Sequence, residues 1–166
     1  MKNPLNHEAI LSHGRKGLGS EPSETLSVYL YYLESKVRPQ LQILDTSLPI
    51  HDRLLETTLL IFDAALDDKN VMKIIYDDLL TAPCLVKTII SNACDLFSRI
   101  FNQIGLPADD LESKTRLNVY VFYFSRWLST WFDDTTPDQS LILAVVDRDL
   151  NQLKNWKEWV KKTISF

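Results

Sequence analysis

Apolar positions along this chain recur at steps of three and four between short polar breaks, a spacing that predicts amphipathic helices throughout. A weak first helix is expected from Pro4 to about Lys16, ended by Gly17 and Gly19. The next opens at Ser20 or Pro22 and carries Leu26, Leu30, Leu33, Val37, Leu41 and Ile43 or Leu44, with a kink expected at Pro39. A third runs from Ile50 to Leu66, burying Leu54, Leu55, Thr58, Leu59, Phe62, Ala65 and Leu66. After the "DDKN" break, Val71, Ile74, Ile75 and Leu79 mark a short helix over 70–80. A long one, 83–104, follows with Val86, Ile89, Ile90, Ala93, Phe97, Ile100, Phe101 and Ile104 and stops at Gly105 and Pro107. The helix 109–132 is apolar over most of its circumference in "LNVYVFYFSRWLSTWF", so it is expected to be central or shared with another chain. In the last, Thr136, Pro137 and Gln139 read as cap, first-turn proline and capping-box partner, ahead of Ile142, Val146, Leu150, Leu153, Trp156, Val160 and Ile164. The pattern predicts an all-α fold of six to seven helices.

The chain has 166 residues, 45% hydrophobic and 24% charged, which suits one folded domain. A net charge of −4 opposes the positive field that a nucleic-acid-binding domain presents. Cys84 and Cys94, ten apart on one helix, lie about 15 Å apart along its axis and cannot bridge each other. Unbridged thiols and an N-terminus without an apolar signal segment point to the cytoplasm. No apolar run approaches the length of a membrane span.

Adjacent aspartates occur at 67–68, 77–78, 109–110 and 133–134, and the last pair follows Trp127 and Trp131 in "RWLSTWFDDTTPDQ". Neighbours on a helix diverge by about 100°, so such a pair does not converge on one substrate atom. Three of the four fall at helix boundaries, where carboxylates cap free amides. His7, His13 and His51 form no metal-ligand spacing, and "GRKGLG" lacks the preceding strand of a phosphate loop. No catalytic residue, cofactor or metal is assigned, and the chain reads as a non-enzyme. Arg116 opens the most apolar helix, either as a cation at the mouth of an internal pocket or as a rim ion-pair partner of Asp109 or Asp110. In "LNQLKNWKEWVKKTISF" the tryptophans and lysines separate onto opposite faces, as expected of a helix packed on a partner or lying on an anionic membrane surface.

A long helix ending in "IGLP", Arg116 opening the next, "RWLSTWFDD" and "TTPDQSLILAVVDRDLNQL" follow one another in an order that resembles the C-terminal ligand-binding and dimerisation domain of tetracycline-repressor-type (TetR) regulators. The order is particularly similar to the branch that includes the lipid-binding accessory protein of ubiquinone biosynthesis, through Arg116, Tyr123, Trp127 with Asp133, and the stretch Val146-Asp147-Arg148-Asp149-Leu150. The resemblance spans about Leu26 to Trp156. It implies a helical ligand-binding and dimerisation domain over 23–166, after a short segment 1–22 that stands where a helix-turn-helix would be. It further implies a pocket for a hydrophobic small molecule or lipid, with Phe62, Ile75, Ile89, Phe97, Phe101, Arg116, Tyr120 and Phe124 as its candidate lining. The last two helices would form a four-helix bundle with those of a second copy, through Trp127, Trp131, Ile142, Val146, Leu150 and Leu153. Only about 20 residues precede the proline-containing helix, too few for the DNA-binding motif, so no DNA binding is expected of this chain alone. The resemblance thus implies a non-catalytic homodimer, or else the effector-binding half of a transcriptional regulator.

Overall fold

The computed structural model describes residues 22–81 and 86–164, with the side chains of 22–26, Ile75, 78–80, Val86 and 155–164 outside that description. Among the described residues the chain is all-helical: α1 (Pro22–Leu41), α2 (Ile50–Ala65), a 3-10 turn (Leu66–Asp68), α3 (Lys69–Leu80), α4 (Val86–Gln103), α5 (Leu111–Asp133) and α6 (Ser140–Ile164). The weak helix expected before Gly17, the cap at Ser20 and Cys84 lie outside the described residues, as do the side chains of Trp156 and Trp159. Helix α1 packs on α4, α2 and α3; α2 lies against α6; and α5 is held between α4 and α6.

Helix ends follow local chemistry. Pro39 lies in the last turn of α1, and the helix stops two residues later, short of the predicted Ile43 or Leu44. Three consecutive turn hydrogen bonds follow, the last from Leu44 N to Leu41 O, and they leave Ile43 84% exposed. After α4, Gly105 takes φ 72°, and the Leu106 amide reaches back 2.8 Å to the Phe101 carbonyl, a left-handed cap that a side chain would strain. Arg53 of α2 donates 2.8 Å to the Ile104 carbonyl, placing a cation at the negative end of α4. Helix α5 begins with a capping box: Asp110 accepts from the Ser113 amide at 2.8 Å while Ser113 Oγ accepts from the Asp110 amide at 3.1 Å.

The last helix departs from its predicted start. Thr136, Pro137 and Gln139 are not its first turn; α6 begins at Ser140, and Gln139 before it adopts φ 53°. Gln139 does not act as a capping-box partner. Its amide accepts from Trp131 Nε1 at 2.7 Å and donates to Asp63 at 2.5 Å, tying α5, α6 and α2 together. The cap is shared: Thr136 Oγ, as expected of a cap, accepts from the Ser140 amide at 3.0 Å, and from across the turn the Asp134 carboxylate accepts from the Ile142 and Thr136 amides, both at 2.9 Å, and from Thr136 Oγ at 2.5 Å.

The core is an aromatic array. Phe62 stacks on Phe124 at 5.3 Å and on Trp131 at 5.1 Å, while Phe97 and Phe101 meet the Tyr120 ring edge-on at 5.0 and 5.1 Å. Tyr120 is fully covered, and its hydroxyl shares a 2.8 Å hydrogen bond with Thr58, whose own hydroxyl lies 2.7 Å from the Leu54 carbonyl. On α2 the buried set is Leu54, Thr57, Thr58, Ile61, Phe62 and Ala65, so the inward face is turned from the predicted one: Leu66 is exposed, Leu55 and Leu59 are half-buried, and Thr57 and Ile61 take their place.

Candidate functional site

The aromatic array fills the space beside the C-terminal half of α4 and continues along α5 from Tyr120 through Phe124 to Trp131. Toward the other end of the same helix pair the side chains shrink, with Ala93 and Cys94 on α4 and Ser125 on α5. A cavity of about 480 Å³ opens there, closed on its other sides by Tyr29, Leu30 and Leu33 of α1, Ile61 of α2, and Met72 and Tyr76 of α3. Its volume is that of a small-molecule site, and its walls are almost wholly apolar. Ile90 and Phe122 line it and are themselves more than half exposed, so they mark its mouth.

Few polar atoms meet this space. Cys94 Sγ lies 3.5 Å from Asn118 Oδ1, and burial, followed by the neighbouring Asp95 charge, pushes the thiol above its ordinary value. The Tyr29 hydroxyl is buried without a hydrogen-bond partner. Burial, then the Asp68 charge and Tyr32, push it well above the ordinary phenol range, so it stays protonated and remains a donor.

Of the candidate lining residues, the structure brings Ile89, Phe97 and Phe124 to the cavity wall. Phe62, Phe101 and Tyr120 instead belong to the filled core beside it, because the rings around them leave no free volume. The Ile75 side chain lies outside the described residues. Arg116 does not line the cavity. It sits in the second turn of α5, where its charge adds to the hydrogen bonds from Ser113 that hold the Asp110 carboxyl below its ordinary value. That is the rim position weighed against a pocket mouth.

The predicted interface residues are already covered by the chain itself. Trp131 is 0% exposed and Trp127 1%, Ile142, Val146 and Leu150 are buried, and Leu153 is half-buried. The buried five have no free apolar area for a second copy to cover. Helical periodicity reports that a stripe is buried; it does not report what buries it, and here α2 packs against α6, which packs against α5. Trp127 also directs Nε1 to Asp149 Oδ2 at 3.0 Å, an internal bond between α5 and α6.

Four of the aspartates in adjacent pairs have roles of their own. Asp68 is buried beside Lys36 at 3.4 Å, Asp77 pairs with Lys73 on its own helix, Asp110 caps α5, and Asp134 is buried while Asp133 is exposed. None of these contacts joins the two members of a pair. Among the described residues no three His, Cys, Asp or Glu side chains gather as a metal ion would need, and no helix is long and apolar enough to cross a membrane.

Pattern reading missed Tyr29, Ala93, Leu96, Val121, Leu128 and Phe132 as lining residues. One signal was available: α5 is apolar on more sides than its neighbours can fill, and the α4 face toward it carries small residues. No family model matches the chain, and neither a curated protein nor a solved structure does.

Proposed function

We propose that this chain is a non-catalytic helical protein that holds a hydrophobic small molecule or lipid in the cavity between α1, α3, α4 and α5. The observation that carries the reading is the cavity itself: about 480 Å³ of apolar-walled space opening at Ile90 and Phe122, beside a core packed ring against ring. One further fact supports it. The order of features in the second half resembles the effector-binding domains of TetR-type regulators, a resemblance that supports a reading as an accessory or effector-binding protein, including one of quinone biosynthesis. Homodimerisation, in this reading, would use surface other than the buried tryptophan stripe, such as the separate exposed flanks of α6 that carry Leu141 and Leu143.

Mass spectrometry of material extracted from the purified protein, together with titration of an apolar fluorescent probe, tests the proposal. Probe should bind at one site per chain, and Ala93→Leu should weaken it at least roughly tenfold without lowering thermal stability, because the added carbons enter free space. A protein that carries no ligand and takes up no probe would sink the reading. A gel-shift assay with upstream DNA addresses the regulator alternative, which predicts tight, salt-sensitive, sequence-specific binding.

A further inference from the structure

Beside the apolar cavity runs a second, polar depression of about 410 Å³ between α5, α6 and α3. The two share walls: Tyr76 and Ser125 line both. Tyr76 is held there by its 5.4 Å contact with Phe132 and by donating 3.5 Å to the Ser125 carbonyl. On the polar side the lining includes two guanidinium groups, Arg126 and Arg148, the hydroxyls of Ser129 and Thr130, and one carboxylate, Asp149.

The charge of this groove is opposite to that of the chain, which carries −4 overall. Its carboxylate is already occupied: Asp149 accepts from Trp127 Nε1 at 3.0 Å and from Arg148 Nε and Nη2 at 3.0 and 2.8 Å. Arg148 keeps donors outside that fork. Arg126 is exposed, its guanidinium lies 5.6 Å over the Tyr123 ring, and no carboxylate pairs with it among the described residues. One cation in the groove is therefore uncompensated, beside the apolar cavity that shares its Tyr76 and Ser125 wall.

We infer that the ligand is an anionic amphiphile, its hydrocarbon tail in the apolar cavity and its carboxylate or phosphate head in the groove at Arg126 and Arg148. This rests on the cavity being a ligand site, and it names the class of ligand. The tail supplies binding through removal of apolar surface from water. The head supplies orientation and selectivity, through hydrogen bonds from guanidinium and hydroxyl donors at a solvated rim.

Three probes below their micellar concentrations test the inference on the full chain: hexadecanoate, its methyl ester and hexadecyl phosphate. The two anions should bind roughly three- to tenfold more tightly than the ester at low salt, an advantage that shrinks as ionic strength rises. Arg126→Gln should erase the advantage with ester affinity and melting temperature unchanged, and Arg126→Lys should restore much of it. A preference between the two anions identifies the head as carboxylate or phosphate. Equal affinity for ester and acid, or an advantage that survives Arg126→Gln, overturns the headgroup assignment while leaving the cavity reading intact. Failure of all three probes to bind overturns both.

Discussion

Asp134 gives the sharpest test of how this fold is held. Its carboxylate is 4% exposed and accepts three hydrogen bonds, one of them from the amide of Ile142 in the first turn of α6. Ile142 is fully buried, so Asp134→Ala strands that amide away from water. An unmade hydrogen bond there costs about 1–3 kcal/mol, and loss of a negative charge near the positive end of α6 adds roughly 0.3–1 kcal/mol. The two Thr136 donors sit in the exposed turn, where water replaces most of what they lose. The total comes to about 2–3 kcal/mol, dominated by one amide. For a chain of this length that corresponds to a drop in Tm of roughly 5–10 °C. Asp134→Asn keeps an acceptor and should cost about 1 kcal/mol.

The pH dependence gives a second handle on the same group. Burial pushes the Asp134 carboxyl up, but hydrogen bonds from the Thr136 hydroxyl and from the Ile142 and Thr136 amides, with the Lys69 charge, outweigh it and leave the group below its ordinary value. A depressed folded pKa means that the carboxylate's contribution is fully present above the unfolded value near 3.9 and fades as pH falls through the folded one. The gap in Tm between wild type and Asp134→Asn should therefore be widest near neutrality and narrow below about pH 4. Differential scanning calorimetry of both variants at neutral and acid pH reads both effects. Asp133→Ala, at an exposed position, should melt within about 2 °C of wild type. An Asp134→Ala protein melting with wild type, or an Asn gap that persists at acid pH, would refute the clamp.

Two other substitutions probe the packing. Phe62→Ala removes a ring stacked between Phe124 and Trp131 and should cost about 3–5 kcal/mol by urea denaturation, with an unchanged m-value. Glu34 is 1% exposed and accepts from Arg38 and Arg99, each at 2.8 Å. Its replacement by alanine should cost about 2 kcal/mol in the same assay, less than a fully buried pair would, because both arginines are half exposed and rehydrate.

Much of the helical framework was legible because the signals that end helices are local. Gly105 and Pro107 stop α4 whatever surrounds them, and Asp110 with Ser113 caps α5 from within four residues. The start of α6 was not legible for the opposite reason. Thr136-Pro137-x-Gln139 satisfies the local cap pattern, yet α6 begins later because Gln139 is drawn away by Trp131 and Asp63, and Asp134 reaches the Ile142 amide instead. Asp63 is 76 residues distant in sequence, beyond any window of pattern reading. The inward turn of α2 toward Thr57 and Ile61 has a similar origin. Helix α2 packs on α1 and α6, and only that arrangement decides which face of α2 is inside.

The tryptophan stripe and the cavity are two sides of one ambiguity. An α5 apolar on most sides has more surface than one neighbour can cover, and its sequence alone does not say which side is filled and which left open. Trp127 and Trp131 are the most conspicuous side chains of that helix, and for that reason suggest an interface. In the fold they are spent against Asp149, Phe62 and Gln139, and the open side falls instead between Val121 and Phe132, opposite the small residues of α4. The packed half, from Phe97 to Ile104 on α4, carries stability; the hollow half forgoes it, since unfilled apolar space lacks the contacts that a filled core supplies. That division makes the two halves separable by mutation. Filling the hollow at Ala93 should leave stability unchanged or raise it while removing binding, the direction expected where a site is maintained at the expense of packing. Truncating Phe62 in the filled half should do the reverse, lowering stability well before any probe affinity measured on the remaining folded protein changes.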